Sequence, residues 1–111
     1  MPAARTADPG TSKVAARTAH NPTEVQARVL TIVTDASAFG SGLTDEGIIA
    51  VYTRTARVNS WTMPSEQSIR SRRKELERAG HIRMALHDDG APIYGTTRAG
   101  NKSHLWKAAT A

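Results

Sequence analysis

The sequence predicts an α+β fold of three short helices followed by a two-stranded antiparallel β-hairpin. Apolar residues recur at helical spacing after "NPTE", and two more helix starts follow in "LTDEG" and "PSEQSIRSRRKELERAG". The last third of the chain contains two short strand-like segments, "HIRMAL" and "SHLWKA", with turn residues between them. In 111 residues we expect a basic N-terminal arm over 1–20, one folded domain over 21–108 and a short tail over 109–111.

The first two predicted helices each have a recognisable start. Asn21 can cap the first helix, and Pro22 suits its first position, where a missing N–H costs nothing. This helix should end near "AFGSG", whose glycines permit a left-handed cap. Thr44 is placed to cap the second helix, which we predict from residue 45 to about residue 56.

The third predicted helix opens near Pro64 and is closed by Gly80. On a helical wheel of about 100° per residue, Leu76 falls within about 20° of Ile69, so these two residues should anchor the helix on the core. Arg73 lies about 40° from Ile69 on the same wheel. We therefore expect Arg73 to lay its aliphatic stem over the core and to pair with a carboxylate.

Positive charge is concentrated in the second half of the chain. The formal net charge is +5, to which residues 1–20 contribute +2, residues 21–50 contribute −3 and residues 51–111 contribute +6. A basic surface of this kind is the usual electrostatic footprint for a polyanion. Charge alone leaves DNA, RNA and an acidic protein as alternative partners.

The composition narrows the chemistry that the chain can perform. Without cysteine, it has no disulfides, thiolate nucleophiles or thiolate metal ligands. The histidines are scattered along the sequence, and "HDD" at residues 87–89 suits a hairpin turn better than a metal site. The sequence contains no catalytic triad, phosphate-binding glycine loop or zinc signature. We expect no enzyme activity, no cofactor and no metal. No apolar run approaches the roughly 20 residues that cross a bilayer, so we expect a cytoplasmic protein without membrane contact.

The polar face of the third helix is the main candidate binding surface. Serine permits close approach, Arg and Gln can make bidentate contacts with guanine and adenine, and Lys more often contacts phosphates. Arg70, Lys74 and Arg78 repel one another at four-residue spacing, and a polyanion would relieve that repulsion. Glu66 could instead pair with Arg70 on an ordinary solvated surface. The candidate DNA-binding residues here are Ser65, Gln67, Ser68, Arg70, Ser71, Arg72 and Lys74.

Three helices followed by a hairpin with a basic tip is the order of a winged helix-turn-helix domain. The segments "QSIRSRRKELERAGHI" and "TTRAGNKSHLWKA" resemble the winged helix-turn-helix domains common in phage and actinobacterial proteins, over residues 22–108. The resemblance implies that the third helix is the recognition helix, that its serine and arginine positions face DNA, and that "TTRAGNK" is the loop of the wing. The matching positions are Ser68, Ile69, Arg72, Leu76 and Gly80.

The predicted wing departs from that family in its length, because residues 87–102 form an extended hairpin that contains Pro92, Ile93 and Tyr94. A basic loop turned by glycine can follow a phosphate strand or enter a minor groove, although a solvated hairpin tip is the plainer alternative. The candidate DNA-binding residues of the wing are Arg98, Asn101 and Lys102. The N-terminal arm has the same two alternatives, and its basic residues are Arg5, Lys13 and Arg17.

These features predict a protein that binds double-stranded DNA sequence-specifically and without catalysis, as a transcriptional regulator or accessory factor in the bacterial nucleoid or a phage-infected cell. Base edges would be approached by Gln67, Ser68, Ser71 and Arg72, and phosphates would be held by Arg70, Lys74, Arg98 and Lys102. The alternative is a winged-helix adaptor that binds and modulates a host protein without binding DNA. A homodimer would need an interface built from the first helix, the arm or the chain end.

Overall fold

The computed structural model describes residues 22–40 and 42–109. Its order is three helices and then a small antiparallel sheet, so the predicted α+β class is confirmed. The predictions for Asn21 and for the basic arm lie outside the described residues. The elements are α1 (Pro22–Ser37), α2 (Asp45–Asn59), α3 (Glu66–Arg78), β1 (Ile82–Met84), β2 (Tyr94–Thr96), β3 (Lys102–His104) and β4 (Trp106–Ala108).

The ends of α2 follow local capping chemistry. The Thr44 hydroxyl accepts a hydrogen bond from the Gly47 N–H at 3.0 Å, which confirms the predicted cap. The helix continues past the predicted end at residue 56, because nothing in "RVN" interrupts the helical hydrogen bonds. Ser60 then adopts a left-handed conformation, with φ of 57°, and closes the helix in the role that glycine more often fills.

The hydrophobic core lies where α1 packs against α2, α3 and β4. Each helix buries one apolar face there. Ile69 and Leu76, the predicted anchors of the third helix, are 1% and 3% exposed. The core therefore determines which side of α3 is turned outwards. Its largest fully buried side chains are Tyr52, Ile48, Ile69, Ile82, Val29 and Val33.

The sheet consists of two short ladders instead of one. β1 pairs with β4, with Met84 opposite Trp106, and this is the strand pair that the sequence predicts. β2 pairs with β3, with Tyr94 opposite His104. Before α2, Leu43 adds a backbone bridge to Trp106, whose N–H donates to the Leu43 carbonyl at 2.7 Å. The first helical hairpin is thereby joined directly to the sheet.

The prediction of one extended hairpin over residues 87–102 is too simple. The predicted "HDDG" turn is confirmed, since the Gly90 N–H donates to the His87 carbonyl at 2.9 Å. The chain then returns through Pro92, which bridges Leu86, and only afterwards forms the β2–β3 ladder. Strands of three residues with two exposed side chains, as in β2, carry too little alternation to be read from sequence. We call residues 94–104 the wing.

Candidate nucleic-acid interface

α3 presents one polar side to solvent. Its opposite side is held on the core by three buried residues, Ile69, Arg73 and Leu76. The outward side carries exposed and half-buried polar side chains at helical spacing, so they form one continuous surface. We call this surface the outer face of α3, and its residues are Gln67, Arg70, Ser71, Lys74 and Arg78.

Arg73 holds α3 in a fixed orientation against the rest of the fold. Its guanidinium donates to both carboxylate oxygens of Asp45 at 2.7 Å and to Glu77 at 2.8 Å. The guanidinium carbon also lies 3.9 Å from the centre of the Trp106 ring. Arg73 is 6% exposed, so the predicted packing over the core and pairing with a carboxylate are both confirmed. A planar, bidentate contact of this kind constrains rotation of the helix.

Arg72 lies apart from the outer face. Its Nη2 donates to Glu75 at 2.8 Å, and its side chain is only 17% exposed. Glu75 also accepts a hydrogen bond from Gln26 of α1 at 3.2 Å. Nε of Arg72 is buried and has no hydrogen-bond partner among the described residues. The structure therefore places Arg72 beside Glu75 and α1, and not with the residues predicted to approach base edges.

The three predicted serines have different environments. The Ser65 hydroxyl accepts a hydrogen bond from the Ser68 N–H at 3.0 Å, so Ser65 is the N-cap of α3. Ser68 is half-buried beside that cap. Only Ser71 belongs to the outer face. The capping hydroxyl stabilises α3 whether or not a ligand is bound.

Replacing Ser65 with alanine should lower the free energy of unfolding by about 1 kcal/mol, because the Ser68 N–H loses its acceptor. Urea denaturation measures the difference. Ser71→Ala is the matched control, since the Ser71 hydroxyl makes no hydrogen bond to another described side chain, and it should change stability by less than about 0.5 kcal/mol. Equal losses for the two variants would show that the cap does not stabilise α3.

The wing tip is tied to the start of α2. The Thr97 N–H donates to the Asn101 carbonyl at 2.8 Å and closes the tip. The backbone N–H of Arg98 donates to the Glu46 carboxylate, also at 2.8 Å. This bond uses the Arg98 amide and leaves its guanidinium available to a ligand. The predicted wing residues Arg98, Asn101 and Lys102 are all exposed at this tip.

A cleft of about 570 Å³ connects the outer face of α3 with the wing. Lys74 and Arg78 line it from the helix, and His104 lines it from β3. Within the part of the chain that the structure describes, the exposed cations Lys74, Arg78, Arg98 and Lys102 form no ion pair. The cleft therefore joins Lys74 and Arg78 of the outer face to His104 of the wing, while Arg98, Asn101 and Lys102 lie outside its lining and Arg72, Ser65 and Ser68 lie outside the outer face.

Two residues of this surface were absent from the sequence-based candidates. Arg78 lies about 180° from Ile69 on the helical wheel, and that position was a sufficient signal for an outward side chain. His104 had no comparable signal. Its place beside α3 depends on the register of β3 against β2 and on the packing of β4, which are contacts between distant segments.

An apolar groove between α1 and α2 forms a second surface. Its volume is about 670 Å³, and its lining includes Ile32, Val51 and Trp61. Phe39 stands at the groove and is 91% exposed. Arg28 covers the Trp61 ring at 3.8 Å from its centre. A concave, mostly apolar site of this volume can hold a small molecule or an apolar side chain of another protein.

Comparisons of the chain with models of known protein families, with curated proteins and with solved structures find no match. None of the three described helices is long and apolar enough to cross a bilayer. Function must therefore be inferred from the two surfaces above.

Proposed function

We propose that the protein is a winged helix-turn-helix DNA-binding protein that places α3 in the major groove of duplex DNA. The outer face of α3 is the observation that supports this function. Lys74 and Arg78 lie one turn apart on it, exposed and without ion pairs to the described residues, and Arg73 holds the helix so that both point outwards. Their mutual repulsion is relieved by a polyanion.

The residues on this surface suit different contacts with a duplex. Gln67 and Ser71 have side chains that can bond base edges in the major groove. Arg70 is 3.8 Å from Glu66 and its side chain is 39% exposed, so this weak pair exchanges readily for a phosphate. The exposed wing residues Arg98 and Lys102 extend the footprint along the backbone. The proposed role is sequence-specific binding without catalysis, by a transcriptional regulator or an accessory factor on a phage or bacterial chromosome.

Salt dependence tests this function directly. Fluorescence anisotropy with a labelled duplex of about two helical turns (roughly 20 base pairs) measures affinity. If several phosphates are neutralised, affinity should fall by orders of magnitude between about 50 and 200 mM salt. Duplexes selected from genomic fragments then report sequence preference. No binding at low salt, or binding that salt does not weaken, would overturn the proposal.

The double variant Lys74→Ala/Arg78→Ala should bind duplex more weakly and reduce the slope of log affinity against log salt by about two, because two phosphate contacts are lost. Arg83→Ala/Lys107→Ala is the matched control. This control also removes two positive charges. Arg83 and Lys107 are opposite each other on β1 and β4. Because each is next in sequence to a residue that lines the cleft, Met84 or Trp106, their side chains lie on the other face of the sheet. Equal changes for both double variants would show that total charge, and not the outer face of α3, governs binding.

The apolar groove favours a second candidate function, a winged-helix adaptor that binds another protein. Phe39 and the groove beside it provide an apolar contact site that duplex DNA would not use. The same groove includes part of α1, which is one of the three places from which a homodimer interface could be built. Failure to bind any duplex at low salt, with the fold intact, would reject DNA binding and favour the adaptor.

A further inference from the structure

We propose that backbone phosphates of one DNA strand pass through the cleft between α3 and the wing, where protonated His104 contacts them, so that duplex binding takes up a proton. This inference rests on the proposed function and adds a regulatory property to it. A helix in the major groove and a wing at the adjacent minor groove are separated by one sugar-phosphate strand. The cleft is the space between α3 and the wing. The sugar-phosphate strand would therefore lie in the cleft.

The helical wall of the cleft is cationic. Lys74 and Arg78 line it without ion pairs to described residues. The one carboxylate in the lining, Glu77, accepts a hydrogen bond from Arg73 at 2.8 Å, and Arg73 also pairs with Asp45. Arg73 thus shares one positive charge between two carboxylates, and the two unpaired basic charges of Lys74 and Arg78 outweigh the single negative charge that remains. Phosphate is the anion that such a wall suits in a duplex.

The opposite wall includes the rings of His104 and Trp106 on the sheet, and this row of rings continues to Tyr94. His104 lies between Tyr94 and Trp106, with ring centres 5.2 Å and 5.8 Å away. A cation covers each end of the row, because Lys102 lies 5.5 Å from the Tyr94 ring and Arg73 lies 3.9 Å from the Trp106 ring. These tilted ring contacts hold the imidazole at a defined place in the cleft wall, where it faces α3.

The hydrogen-bonding capacity of the His104 ring is unused within the described fold. Nδ1 is buried and has no partner among the described residues, so Nε2, which no described side chain or carbonyl bonds, is the atom that can reach a phosphate. The charged groups around it are Arg73, Lys74, Glu77 and Arg78 on α3 and Lys102 on β3, with the phenol of Tyr94 on β2. A phosphate placed against the ring favours the protonated imidazole. Binding should therefore be coupled to proton uptake, and affinity should rise as pH falls.

The test measures duplex affinity at about 50 mM salt between roughly pH 8 and pH 5.5. For the unmodified chain, affinity should rise about three- to tenfold as pH falls across this interval, as one charge-assisted contact forms. His104→Gln should lose this rise. The matched controls His81→Gln and His87→Gln, at exposed positions outside the cleft lining, should retain it, as should His20→Gln.

A second measurement does not depend on a variant. In NMR titrations of the unmodified chain, the imidazole signals of His104 should change protonation at a higher pH with duplex bound than without it. Inorganic phosphate at matched ionic strength should not reproduce the shift; if it does, the cleft is a general oxyanion site and not a track for DNA. A pH-dependent rise that survives His104→Gln would overturn the inference and leave DNA binding intact. Absence of duplex binding at every pH would instead overturn the proposed function, and the inference with it.

Discussion

Replacing Arg73 with alanine is expected to lower the free energy of unfolding by about 3–5 kcal/mol, the usual cost of removing one partner from a buried ion pair. The guanidinium bonds Asp45 at 2.7 Å on two atoms and Glu77 at 2.8 Å, and it covers the Trp106 ring. Without it, the Asp45 carboxylate, only 20% exposed, loses its counter-charge. The space beside Trp106 is also emptied, so charge and packing losses act together.

Two further variants separate these contributions in urea denaturation. Arg70→Ala removes an arginine from the same helix, but its pair with Glu66 is exposed and 3.8 Å long, so the loss should be about 0–1 kcal/mol. Arg73→Met loses the guanidinium and its hydrogen bonds but keeps an unbranched stem over Trp106, so it should cost less than Arg73→Ala. If Arg73→Ala were no more harmful than Arg70→Ala, the proposed anchoring of α3 would be wrong.

Gly42→Ala should be comparably harmful, with a loss of about 3 kcal/mol or more, because two penalties coincide. Gly42 has φ of 104°, a conformation that costs other residues roughly 1–2 kcal/mol. A Cβ at this position would also collide with the backbone carbonyl of Trp106 and lie 2.9 Å from Cγ of Lys107. Overpacking of this kind typically costs about 1–3 kcal/mol. The neighbouring Leu43–Trp106 bridge should open as the chain moves away.

Gly80→Ala provides the matched control for Gly42→Ala. Gly80 has a similar φ of 88°, but a Cβ there would meet no atom within 4 Å. It should therefore show the conformational penalty alone, about 1–2 kcal/mol. Thermal and urea denaturation give the loss of stability of each variant. The difference between the two losses is the cost of the clash between a Cβ at position 42 and β4. Equal losses would mean that the approach is relieved by a small shift of the strand.

Helical periodicity was sufficient to orient α3. Ile69, Arg73 and Leu76 share a face because they are spaced three to four residues apart, and this follows from helix geometry whatever the rest of the fold contains. The Thr44 cap was predictable for the same reason, since donor and acceptor are three residues apart. Ser65 could have been assigned in the same way, because its position before α3 satisfies the capping rule that identified Thr44.

Contacts between distant segments were beyond sequence reasoning. Arg72 was assigned to base edges although its pair with Glu75 is local, three residues along the same helix. The contact that the sequence does not reveal is the bond from Gln26 of α1 to Glu75, across a separation of 49 residues. The division of the hairpin into two ladders placed His104 opposite α3, and no local pattern predicts a ladder of three residues. The wrong or missing predictions, for Arg72 and His104, concern the candidate site and not the core. The site is formed by residues of helices and strands that are distant in sequence and come together only in the folded protein.

The bond between the Arg98 amide and Glu46 has a consequence for how the wing meets a ligand. It crosses 52 residues of sequence and fastens the hairpin tip to the helical layer through a main-chain group. A substitution at position 98 can therefore change the surface charge of the wing and still keep the bond between its backbone N–H and Glu46. A preorganised hairpin of this kind loses little conformational entropy when it binds, so the wing should dock on its ligand as a rigid body.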